Sequence, residues 1–92
     1  MKKLQLNPLT EKQKEVLIFV AQFIRKNGFS PRYVDIATGT EARTPGAIAG
    51  ILNALQKKEY ITYEACKHRG IFLSPIIYKL TNRQIKNIAI IQ

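Results

Sequence analysis

RTPGAIAGILNALQKK, residues 43–58, reads as one helix with an unusually bare outer face. Thr44 fits the N-cap and Pro45 the first helical position, where a missing N–H costs nothing. Ile48, Ile51, Leu52 and Leu55 follow at i, i+3, i+4 and i+7, an apolar stripe that needs a core to face. At about 100° per residue the opposite stripe is Gly46, Gly50, Asn53 and Lys57, flanked by Ala47, Ala49 and Ala54. Each interior glycine costs about 1 kcal/mol relative to alanine. Either something approaches this face closely, or the glycines are tolerated. The expected visitor is double-stranded DNA, with a protein partner as the rival.

The charge balance supports a polyanion. Fifteen Lys+Arg against six Asp+Glu leave +9 on 92 residues, and attraction to phosphate scales with such charge. That length allows one small domain. The single cysteine, Cys66, excludes an internal disulfide and a cysteine-built zinc site. A reducing, cytoplasmic setting on the nucleoid is therefore expected. No apolar run approaches a bilayer span, so no membrane partner is expected.

Outward from the central helix the chain divides readily. Residues 1–8 form a basic arm, expected to be mobile. Thr10 with Gln13 makes a capping box opening a helix from about Glu11 to Lys26, stopped by Asn27-Gly28. Its expected buried face is Val16, Phe19, Val20, Phe23 and Ile24, with Ile18 turned outward beside Lys14 and Arg25, a position that also suits cover by the C-terminal residues or a second subunit. Ser30-Pro31 is read as cap and first residue of a short second helix with Tyr33, Ile36 and Ala37 inward. Thr38-Gly39-Thr40 ends it, and two helices joined by so short a turn make a helix-turn-helix. From Tyr60 the pattern changes to period two. Residues 60–64 and 71–73 read as a β-hairpin, with Lys67, His68 and Arg69 at its tip. The fold class is mostly α with a small hairpin: a winged helix-turn-helix with a three-helix core plus wing spanning residues 9–75.

In residues 76–92, Ile76 to Leu80 favours an extended segment. Thr81 with Gln84 signals a further helix over Asn82–Ile91, with Ile85, Ile88 and Ala89 inward. So much isoleucine implies packing on the first helix or on a second copy of the chain. A homodimer through these residues would restore binding to two half-sites.

The chain resembles the N-terminal DNA-binding domain of the LexA repressor family. The resemblance rests on Leu9-Thr10, Gln13 and Glu15-Val16, then Gly28, Pro31 and Asp35-Ile36-Ala37. Thr44-Pro45 with Leu52 and Leu55 continues it, and Arg69-Gly70-Ile71 closes the wing. It runs from Leu9 to about Leu73 and implies a DNA-binding transcription regulator, a repressor, with the third helix in the major groove. In the family the base-reading positions carry polar and acidic side chains. Here Thr44, Gly46, Ala47, Ala49 and Gly50 stand there, so the family's operator does not carry over. The family's self-cleaving serine/lysine domain, which is also its dimeriser, has no counterpart in these residues, and no autoproteolysis is expected of them.

Chemistry on the bare helix is sparse. Asn53 is its only amide and Lys57 its only charge, while Ala47 and Ala49 could touch thymine methyls. Arg32, Arg43, Lys57, Lys67, His68 and Arg69 are the expected phosphate contacts, giving loose sequence preference and strong salt dependence. The rival reading takes Gly46-Ala47-Ile48-Ala49-Gly50 as a seat for another helix. It makes the domain a phage- or plasmid-type module acting on a host polymerase, nuclease or repressor. Enzymatic chemistry is not expected. His68 is the lone histidine, six scattered carboxylates do not converge on a metal, and no cofactor motif is present.

Overall fold

Four helices begin where a threonine or serine hydroxyl takes an early free N–H, three of them at residues 10, 44 and 81 as expected and one at Ser74. The computed structural model describes residues 6–64 and 70–91. In it α1 (Glu11–Asn27) opens on a full capping box, Gln13 N donating to Thr10 Oγ1 at 3.1 Å and Thr10 N to Gln13 Oε1 at 3.2 Å. Gly28 closes α1 in the left-handed conformation, φ 79°, which lacks the Cβ penalty of other residues.

The second helix, α2 (Tyr33–Gly39), starts two residues later than Ser30-Pro31 led one to expect. Its opening is fixed instead by Asp35, whose Oδ2 accepts the Arg32 N–H at 2.8 Å. Ser30 is buried with its hydroxyl engaged elsewhere, donating to Pro31 O and accepting the Ile71 N–H at 3.2 Å. At the far end of α2, a Cβ on Gly39 would lie 2.2 Å from the Phe19 ring, so the ring rests against the bare glycine and would have to move for any larger residue. Thr40 then braces the turn: its Oγ1 donates to Ile36 O at 2.8 Å and accepts the Ala42 N–H at 3.1 Å. Glu15 Oε1 on α1 holds the Glu41 N–H at 3.1 Å, anchoring that turn to the core.

The third helix is α3 (Pro45–Lys57), with Ile48, Leu52 and Leu55 buried and Ile51 packed against the same cluster. A two-stranded antiparallel sheet follows, β1 (Ile61–Tyr63) with β2 (Ile71–Leu73), in the register Ile61↔Leu73, Thr62↔Phe72, Tyr63↔Ile71. This is the winged helix-turn-helix arrangement. The expected tip residues Lys67, His68 and Arg69 lie outside the described residues.

Two features depart from expectation. The α1 core face is centred on Val16, Leu17, Val20 and Ala21, while Phe19, Phe23 and Ile24 are only half-buried. The face widens because α1 packs on α2 and α3 and also on the C-terminal segment. That segment is the second departure. Residues 76–80 are not extended: Ser74 caps and Pro75 opens a short helix, α4 (Pro75–Lys79). Local capping there outweighs the β-preference of Ile76 and Ile77. The last helix, α5 (Asn82–Lys86), keeps the Thr81–Gln84 capping box but ends five residues short of Ile91. The chain then straightens, and Leu9 pairs with Ile90 through Leu9 N to Ala89 O, 2.9 Å, and Ile91 N to Leu9 O, 2.8 Å. Ile85 and Ile88 point inward as expected; Ala89 is exposed. Ile77, Ile85 and Ile88 belong to the same core as α1 and α3, and Ile18 packs against it rather than facing solvent. Residues 6–8 are tied down too, since the Asn7 and Pro8 carbonyls accept from the Tyr60 hydroxyl and the Lys58 ammonium. No helix among the described residues is long and apolar enough to cross a membrane.

Candidate nucleic-acid interface

The sequence places the α3 face by periodicity, and the fold leaves that face open. Thr44, Pro45, Gly46, Ala47, Gly50, Asn53 and Lys57 are all exposed, and Ala49 is half-buried at the edge of the stripe. Thr44 Oγ1 accepts the Ala47 N–H at 3.1 Å, so part of its hydrogen-bonding capacity serves the helix itself. A Cβ added at Gly46 or Gly50 would meet nothing within 4 Å. Nothing in the described chain therefore requires glycine at either position. The requirement, if there is one, comes from outside.

The electrostatics of this face follow from what it lacks. α3 carries no carboxylate, and Lys57 stands in its last turn. Arg43, just before the Thr44 cap, is exposed, as is Lys57. Neither side chain forms a hydrogen bond or ion pair among the described residues. Arg32 is exposed at the opening of α2, with its Nε 3.9 Å from Asp35 Oδ2, a loose surface pair that leaves the rest of the guanidinium available. The nearest acids in sequence, Glu41 and Glu59, lie in the turns flanking α3 rather than on it. Lys58 is different: its ammonium donates to Pro8 O at 2.8 Å and Gln13 Oε1 at 3.0 Å, which makes it structural.

The structure thus gathers Thr44, Gly46, Ala47, Gly50, Asn53 and Lys57 on one exposed stripe, with Arg43 at its head. Lys67, His68 and Arg69 fall outside the described residues. Sequence reasoning gave Gln56 no role and did not join Tyr33, read only as an inward residue of the second helix, to Tyr63 of the hairpin. Gln56 Oε1 accepts the Tyr63 N–H at 2.6 Å, joining the end of α3 to β1. The Tyr63 hydroxyl meets that of Tyr33 on α2, and burial pushes the Tyr33 phenol above its usual pKa. Only the alternation of residues 60–64, which turns Tyr63 inward, hinted at this. Among the described residues, no three His, Cys, Asp or Glu side chains are grouped to hold a metal ion.

Comparison with known proteins agrees with this geometry. The family profile described as LexA DNA binding domain matches residues 6–70. The LexA repressor of Thermotoga maritima is 38% identical over 72 residues, covering 78% of this chain and 36% of that protein. That of Thermosipho melanesiensis is 41% identical over 68 residues, 74% of this chain and 34% of the relative. That of Bordetella avium is 36% identical over 80 residues, 79% and 38% respectively. The chain spans a little over a third of the length of these relatives. On the family match over residues 6–70, the chain belongs to the LexA DNA-binding domain family.

Proposed function

We propose that the domain binds double-stranded DNA as a transcriptional repressor, with α3 seated in the major groove. The observation that carries this is the α3 outer face: exposed along its length, free of carboxylate, and open at two glycines for which the described chain has no use. Small side chains let the helix backbone come close to base edges. Ala47 and Ala49 can meet thymine methyls, and Asn53 can pair with adenine through its amide. Thr44 at the cap and Lys57 at the far end frame that contact, and Arg32 and Arg43 grip phosphates beside it. Lys67, His68 and Arg69 do the same from the wing. With so little base-reading capacity, most of the binding free energy is electrostatic.

Pairing of two copies would align two such helices on successive half-sites. Residues 76–91 are the candidate pairing surface, since Ile76, Tyr78, Ile90 and Ile91 remain exposed there.

A mobility-shift titration on random duplex across a range of salt, followed by selection of bound sequences, tests the proposal. Expected are a steep fall of affinity with salt and a short, degenerate preferred motif. Asn53→Ala should relax that motif, whereas Lys57→Gln should weaken all duplexes alike. No binding at low salt would overturn the proposal, and sedimentation with and without duplex reports on pairing.

A further inference from the structure

The hairpin has only three residues in each strand. Two-stranded ribbons of that size have marginal stability and free direction unless something else holds them. Here one rung is held from several sides. Tyr63 and Ile71 face each other in register. On β1, the Tyr63 N–H donates to Gln56 Oε1 in the last turns of α3, at 2.6 Å. The Tyr63 hydroxyl shares a hydrogen bond with the hydroxyl of Tyr33, the first residue of α2. The two rings lie 6.4 Å apart, inclined by 27°. On β2, the Ile71 N–H donates to the buried Ser30 Oγ just ahead of α2. A single rung is thus fastened to both helices of the helix-turn-helix and to the segment that leads into them.

We infer that Tyr33, Tyr63 and Gln56 are positioning residues, locking the hairpin to α2 and α3 so that wing and reading helix meet one duplex as a single preformed surface. This rests on the DNA-binding reading above. The chemistry suits the task. Each contact joins polar groups that are at least partly shielded from water, where a satisfied network rigidifies its surroundings. A surface already in its bound arrangement loses less entropy when it binds. None of the three residues is needed to touch DNA. Gln56 neighbours the reading stripe in sequence, but its side-chain oxygen is already engaged.

The test uses variants that keep shape and remove one polar group: Tyr33→Phe, Tyr63→Phe, their double variant, and Gln56→Met. Residual dipolar couplings of the free protein report the direction of residues 61–63 and 71–73 relative to α3. Hairpin couplings should shrink in the double variant while those of α1 and α3 hold. Duplex affinity should fall about three- to tenfold, and the salt slope should fall by roughly one as hairpin cations disengage. Sequence preference, set on α3, should persist. A merely structural role would lower thermal stability and leave the salt slope alone. Unchanged couplings in the double variant would overturn the lock whatever happens on DNA. Altered couplings with unaltered affinity and slope would overturn its role in binding. Failure of the unsubstituted protein to bind any duplex would instead sink the DNA reading, with the couplings still deciding whether the hairpin is locked.

Discussion

The outer face of α3 and the flank of α1 under the C-terminal segment both carry cations and use them in opposite ways. On the α1 flank the cations are engaged. Lys14 Nζ donates to Ile88 O at 2.8 Å. The Arg25 guanidinium spans Ile77 O, Leu80 O and Asn82 Oδ1, joining α4 to the start of α5. Leu80 is the C-cap of α4, where a helix leaves its carbonyl without an internal partner, and Ile88 lies two residues beyond α5; Ile77 O takes the guanidinium in addition to the Leu80 N–H. Around α3, Arg43 and Lys57 reach into solvent with no partner among the described residues. Net charge cannot tell these populations apart. A basic chain binds polyanions through the cations its own fold leaves unused: Lys14, Arg25 and Lys58 are used here, whereas Arg43 and Lys57, like Lys79, Arg83 and Lys86 on the C-terminal segment, have no side-chain partner among the described residues.

The sharpest way to break this contrast is to remove the cation with most internal partners. Arg25→Ala deletes three charge-assisted hydrogen bonds and should destabilise the fold by about 2 kcal/mol. In a domain of this size that lowers the thermal midpoint by roughly 10 °C. Arg25→Lys should recover only part of the loss, because an ammonium cannot fork across three acceptors. Well below the midpoint, duplex affinity should stay within about twofold of the parent, since one distant charge contributes little at moderate salt. A large affinity loss in a folded Arg25→Ala protein would show that the α1 flank also faces DNA.

The converse substitution acts on the free cations. Arg43→Gln with Lys57→Gln should leave the melting temperature nearly unchanged, because neither side chain contributes a contact to the fold. Duplex affinity near physiological salt should fall about tenfold, and the slope of log affinity against log salt should drop by roughly two. Equal slopes for the variant and its parent would remove both residues from the interface.

Gly50→Ala separates folding from binding by sign. The position is exposed and a Cβ there meets nothing, so alanine should stabilise α3 by about 0.5–1 kcal/mol. If the helix backbone sits close to DNA, the same methyl should weaken binding several-fold. A protein that melts higher and binds worse sharpens the contrast between the two regions. One that melts higher and binds equally well means the glycine was only tolerated.

How far the sequence discloses this depends on how local each signal is. The α3 stripe was legible because helical periodicity decides which side chains share a face, and the LexA resemblance supplied the order of elements. Three hydroxyl–proline pairs show the limit. Thr44-Pro45 opens α3 as read. Ser74-Pro75 opens α4, although the isoleucines after it argue for a strand. Ser30-Pro31 opens nothing, because Ser30 Oγ is recruited by Ile71, 41 residues away. The Tyr33–Tyr63 bond and the Arg25 clamp are likewise long-range, and pairing across such separations leaves no pattern in the neighbouring sequence.

The smallest expected effect lies at the end of α3, where that helix passes into the hairpin. Glu59 has φ 67°, the left-handed region, and is the one non-glycine residue with positive φ among those described. The reason is geometric: Tyr60 N donates to Leu55 O at 3.0 Å and Glu59 N to Gln56 O at 2.9 Å, the paired bonds of a Schellman ending. That motif requires a left-handed residue at position 59, where a Cβ costs about 1 kcal/mol. Glu59→Gly should relieve the strain, partly offset by the greater freedom of glycine in the unfolded chain, for a net gain near 0.5 kcal/mol. Glu59→Gln is the control, since it removes the same negative charge and keeps the Cβ. If both variants gain equally by chemical denaturation, the effect is electrostatic and the left-handed strain is not felt. If only glycine gains while both bind duplex alike, the backbone at this junction is strained, and that strain is independent of the proposed DNA-binding face.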